Sequence, residues 1–133
     1  MGMQSMASIK FRMWHGILVD AAFVDPHCIK RLRKFAEKEE DGWTIIGVEI
    51  SEFDFDSTIA QLQAAMRRDE PFYLHFYNDE ELVIVFYDRV FRVGSHISSW
   101  KPVIEFARTR KFPEDQLAFW PNRRQDERHY FNA

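Results

Sequence analysis

Residues 71–93, PFYLHFYNDEELVIVFYDRVFRV, set two six-residue apolar or aromatic runs around a four-residue acidic connection, with a third short run beyond Asp88-Arg89. Short runs of strand-forming residues bounded by turn residues specify a three-stranded antiparallel meander. The runs do not alternate between apolar and polar, so both faces of the meander have to be covered. The cover comes from the chain itself, with a partner as a second source.

If residues 78–81 form the first connection, Tyr77 faces Leu82, and the pairs Phe76–Val83, Leu74–Val85 and Phe72–Tyr87 follow. Phe72, Leu74, Phe76, Val83 and Val85 then share one face, which has the character of an ordinary core. The other face carries Tyr73, His75, Tyr77, Leu82, Ile84 and Phe86, extended by Phe91 and Val93 from the third run. Tyrosine and histidine combine an apolar body with a polar tip, as in a half-wet interface or a ligand groove. The candidate ligand or interface residues are therefore Tyr73, His75, Tyr77 and Phe91, with Trp120 from the tail.

Upstream, residues 8–13 alternate and read as a strand, His15-Gly16 as a turn, and residues 17–24 as a second strand; one long bent strand is the alternative. Asp25-Pro26 is a helix-start signal. Ile29, Leu32, Phe35 and Ala36 follow at helical spacing, and Asp41-Gly42 reads as the stop. Residues 43–50 are short and β-branched, as in a buried strand, and a second helix begins among Asp54, Asp56 and Ser57 with Ile59, Leu62 and Met66 inward. A third is capped at Ser98 or Ser99 and buries Trp100, Val103, Ile104 and Ala107. The fold class is thus α+β: a mixed sheet containing the meander at about 72–93, three helices at about 26–40, 56–68 and 99–110 packed mainly on one face, and an irregular C-terminal tail. Residues 8–133 form a single domain, and residues 1–7 are disordered or an expression remnant.

The net charge of −3 is unevenly spread, because residues 49–81 hold nine carboxylates against Arg67 and Arg68 and sum to −7. An acidic middle repels phosphate backbones, which argues against general nucleic-acid binding and for a basic partner or simple solubility. Within it, Glu49, Glu52, Asp54 and Asp56 form a candidate acidic interaction surface. Helix capping and solvated charge are its simpler explanation. One cysteine excludes an internal disulfide, and the N-terminal MGMQSMAS lacks a signal sequence's basic flank and apolar core. With no long apolar span either, the expected location is the cytoplasm, without membrane contact.

Chemistry is sparsely marked. Cys28, in the first turn of the expected helix, is the best available nucleophile if the helix dipole lowers its thiol pKa, and a buried structural thiol if not. The five histidines, at 15, 27, 75, 96 and 129, show no metal-ligating spacing, and phosphate-loop and nucleophile-elbow motifs are absent, so no metal, cofactor or catalytic residue is assigned. The leading expectation is a non-catalytic protein-interaction module, of inhibitor or immunity type or self-associating as a homodimer, acting through the second sheet face or the acidic surface. The alternative is a small-molecule-binding protein or enzyme with a Tyr/His-lined groove. A concave pocket of several hundred cubic ångströms around Tyr73, His75, Tyr77 and Trp120 favours the second, and a flat exposed patch the first.

Overall fold

The computed structural model describes residues 12–132. Among the described residues six strands form one sheet: β1 (Met13–Val19), β2 (Arg33–Glu40), β3 (Trp43–Ser51), β4 (Leu74–Tyr77), β5 (Glu81–Phe86) and β6 (Arg89–Gly94), in the order β2-β3-β1-β4-β5-β6. Three α-helices accompany them: α1 (Phe55–Ala64), α2 (Lys101–Thr109) and α3 (Glu127–Asn132). The architecture is α+β.

The meander has the register set by its acidic connection. Tyr77 pairs with Leu82, Phe76 with Val83, His75 with Ile84 and Leu74 with Val85, while β6 returns through the two-residue connection Tyr87-Asp88. The ladder stops before Phe72 and Tyr87, which the sequence pattern also paired. In the first connection, the Asn78 Oδ1 accepts the backbone N–H groups of Glu80 (3.0 Å) and Glu81 (2.8 Å), and Asp79 takes a φ of 73°, a conformation Asn and Asp tolerate.

The first expected helix is a correction. Asp25 does accept the His27 backbone N–H (3.0 Å), but it caps only a 3-10 turn, Pro26–Ile29, and residues 33–40 are strand β2. The apparent helical stripe is divided between two layers: Ile29 and Leu32 join the core on the first face, and Phe35 joins the core on the second. Glu40 pairs with Trp43, so Asp41-Gly42 is a two-residue hairpin turn rather than a helix stop. Their φ values of 54° and 83° are those of a type I′ turn, which matches the twist of the flanking strands. As an edge strand, β2 is rich in Lys and Glu, which discourage further strand pairing.

The same change removes the mixed sheet. The expected mixed sheet had a helix at about 26–40 between its N-terminal strands and residues 43–50; the β2–β3 hairpin stands there instead, and every strand pairing among the described residues is antiparallel. His15-Gly16 is also not a turn, because β1 runs straight through it. A Cβ on Gly16 would lie 2.4 Å from the Phe76 ring, so this glycine lets a core aromatic cross the strand. Residues 20–22 leave the strand as a 3-10 turn, and residues 8–11 of the expected first strand lie outside the described residues.

Helix α1 ends at Ala64 rather than near Arg68, because the chain turns to meet residues 22–24: the Arg67 N–H donates to the Ala22 carbonyl (2.8 Å) and the Val24 N–H to that of Ala65 (3.1 Å). The helix covers the first face, where Trp14 stacks on Phe55 at 3.8 Å. Helix α2 and the C-terminal segment cover the second, so the helices are divided between faces rather than collected on one. Here Trp100, Val103, Ala107, Leu117 and Phe119 bury Tyr77, Leu82, Ile84 and Phe86.

Candidate functional site

The cover on the second face is incomplete. A cleft of about 590 Å³ remains, a size typical of small-molecule sites. Its base is formed by Ile17, Ile45 and His75, from the adjacent strands β1, β3 and β4. Its sides come from the β2–β3 turn (Asp41, Trp43), residues 70–73 ahead of β4, the tail from Phe112 to Trp120, and Tyr130 of α3.

His75 is 4% exposed. Its Nε2 lies 2.8 Å from the Pro121 carbonyl oxygen, which can only accept, so Nε2 carries the proton and Nδ1 is left as an acceptor. Burial lowers its pKa from 6.5 to about 4, against a smaller upward pull from the Pro121 carbonyl. At neutral pH the ring is uncharged.

Tyr73 anchors the tail. Its hydroxyl donates to the Gln116 carbonyl (2.6 Å), and its ring meets Phe112 and Phe119 edge to face at 5.5 and 5.3 Å. Burial pushes its phenol well above the usual range. Phe119 takes a φ of 47°, a region disfavoured for a large side chain, and is held there by burial against Tyr73 and Trp100. The bend turns Phe119 inward and leaves Trp120 44% exposed on the rim of the cleft. Trp43, 43% exposed, stands at the rim too, 5.6 Å from Phe72.

The expected site residues separate. Tyr73, His75 and Trp120 come together on the cleft. Tyr77 is fully buried beside it, its hydroxyl donating to the Glu127 carboxylate; desolvation and that carboxylate both push its phenol far up. Phe91 lies on β6 against Phe86 (6.0 Å) and Phe106 (5.2 Å), away from the cleft. The second face is therefore no flat exposed patch: helix α2 and the C-terminal segment pack on the surface where an interface was expected.

The four acidic candidates are held by internal contacts. Glu49 lies 3.0 Å from the His15 Nε2 and 3.6 Å from Arg33, and Glu52 accepts the Trp14 indole N–H at 2.5 Å. Asp54 accepts the Ser51 hydroxyl (3.0 Å), and Asp56 lies 3.6 Å from Arg92. Cys28 is half-buried against the first-face core, across the sheet from the cleft, and burial pushes its thiol up rather than activating it. No group of three or more potential metal-binding side chains occurs among the described residues, and no described helix is long and apolar enough to cross a membrane.

Sequence reasoning missed Asp41, Trp43, Asp115 and Tyr130 as cleft residues. The Asp-Gly pair between two strand-like runs was a hairpin signal that would have placed the first two. For Asp115 and Tyr130 there is no local signal, because an irregular tail carries no periodicity from which direction can be read. Comparisons with protein-family models, curated proteins and solved structures each returned no match.

Proposed function

We propose that this chain is a small-molecule-binding protein whose ligand occupies the cleft between Tyr73, His75, Trp43 and Trp120. The observation that carries this reading is the cleft itself: about 590 Å³ left open on a face whose remaining apolar surface the chain covers for itself. The walls of the cleft mix apolar and aromatic side chains with polar ones such as His75 and Asp115, and a concave site that combines apolar surface with placed polar groups is suited to a small ligand. The protein-interaction reading has less support, because the second face is occupied by the tail and Glu49 and Glu52 are committed to His15 and Trp14. The reading is of binding rather than catalysis, since Cys28 faces the opposite core and His75 has one ring nitrogen tied to a carbonyl.

Titration with the neutral, environment-sensitive dye N-phenyl-1-naphthylamine tests it. Saturable enhancement is expected with the native chain, and at least about tenfold weaker binding with Ala118→Trp, which places a large ring in the cleft from an exposed position. Equal binding by both proteins removes the cleft as the site.

A further inference from the structure

We propose that the ligand of this cleft is an organic cation, an ammonium group carried on an apolar or aromatic body. This rests on the small-molecule-binding reading and specifies the chemistry of the same site. The first argument is charge. Glu40, Asp41, Glu70 and Asp115 line the cleft, and no lysine or arginine does. Glu40 is balanced by Lys38 at 3.3 Å and Glu70 by Arg67 at 3.6 Å. Among the described residues, Asp41 and Asp115 have no basic partner within ion-pair distance, so the cleft carries uncompensated negative charge.

The second argument is the wall. Trp43, Phe72, Tyr73, Trp120 and Tyr130 present aromatic surface, and the faces of such rings attract cations. The protein already uses this chemistry here: the Lys38 ammonium lies 3.7 Å from the centre of the Tyr130 ring, donates to the Tyr130 carbonyl (3.0 Å) and pairs with Glu40. A ring face, an acceptor oxygen and a carboxylate thus hold one ammonium at the edge of the cleft.

The third argument is hydrogen bonding. With Nε2 donating to Pro121, His75 offers an acceptor at Nδ1, and a primary ammonium supplies the donor. An anionic ligand would meet carboxylates and an uncharged imidazole. A neutral aromatic ligand would leave Asp41 and Asp115 without a role.

The test compares three soluble probes of one size, phenethylammonium, 2-phenylethanol and 3-phenylpropanoate, with a capped lysine pentapeptide as a fourth arm. Trp43 and Trp120 stand on the rim while Trp14 and Trp100 are buried, so intrinsic fluorescence reports the cleft. Phenethylammonium is expected to bind about tenfold tighter than the alcohol, with the carboxylate weakest. The double variant Asp41→Asn, Asp115→Asn is expected to bring the ratio of ammonium to alcohol affinity from about tenfold to near one. Asn tolerates the left-handed backbone at position 41, where φ is 54°, so the fold survives the change. If the double variant does not fold, the salt dependence of the native chain decides, because added salt weakens ammonium binding and not alcohol binding.

Equal affinity for ammonium and alcohol overturns the cation assignment but leaves the cleft as a binding site. Tighter binding of the lysine peptide than of the free amine assigns the cleft to a protein partner and overturns it likewise. No response to any probe, together with no dye binding, removes the small-molecule reading itself.

Discussion

The His75 Nε2 lies 2.8 Å from the carbonyl oxygen of Pro121, joining strand β4 to the C-terminal segment that packs on the second face. The imidazole is buried and uncharged, with its pKa lowered from 6.5 to about 4. A histidine of this kind takes up its proton more readily in the unfolded chain. Its contribution to stability is complete above the unfolded pKa, is lost as pH falls from about 6.5 towards 4, and amounts to about 3 kcal/mol. His75→Gln keeps a donor in place of Nε2–H but does not titrate. Urea midpoints at neutral and mildly acidic pH should therefore diverge more for the native chain than for His75→Gln. Parallel behaviour of the two would remove His75 as the source of acid sensitivity.

Glu127 holds the other end of the tail. One of its carboxylate oxygens lies 2.6 Å from the His15 Nδ1 and also accepts the Tyr77 hydroxyl, while the opposite His15 nitrogen faces Glu49 at 3.0 Å. Glu127→Ala leaves two buried polar groups without this partner and is expected to destabilise by about 2 kcal/mol. Tyr77→Phe should destabilise by about 1 kcal/mol. Because the two changes remove one shared bond, the double variant should lose less than the sum of the two in denaturant unfolding. Strict additivity would show that the bond contributes nothing.

Two glycines let aromatic rings cross the sheet, one in each core. A Cβ on Gly16 would meet the Phe76 ring at 2.4 Å, and a Cβ on Gly47 the Phe35 ring at 2.5 Å. Phe76 is fully buried in the first-face core, with no room to retreat, whereas Phe35 is half-buried on an edge strand. Gly16→Ala should therefore cost about 3 kcal/mol and Gly47→Ala about 1 kcal/mol, the smaller cost falling further when Phe35→Leu is added. Equal losses at the two sites would contradict this difference in freedom.

What was legible in the chain follows from where its signals are local. The meander register, the two face sets and the buried stripes of α1 and α2 could be read directly, because Tyr77 and Leu82 are fixed by one connection and Val103 and Ala107 by one helical period. The cleft was legible only in part. Tyr73 and His75 lie on one face by strand period, but Trp120 and Asp115 reach it through an irregular tail whose path is decided by long-range contacts such as Tyr73 to Gln116. Residues 33–40 misled because RKFAEKEE is made of good helix formers, and tertiary pairing with β3 overrides their propensity.

That override predicts a specific sensitivity at Gly42. In a type I′ turn both central residues need positive φ, and Gly42, at 83°, has nothing near the position of its missing Cβ. Gly42→Ala introduces no clash, so its whole effect is backbone strain, expected at about 1 kcal/mol or more. Asp41→Gly relieves rather than adds strain at φ 54° and should be close to neutral on the folded side. Were residues 33–40 helical, Gly42 would be a helix terminus and Asp41→Gly would change little else. In the hairpin, relief of the Gly42→Ala strain is expected to shift the turn and with it Asp41 and Trp43 on the rim of the cleft, so dye affinity and stability should fall together. Urea unfolding and dye titration of this single variant measure both, and a stability loss that leaves dye binding intact would separate the hairpin from the site.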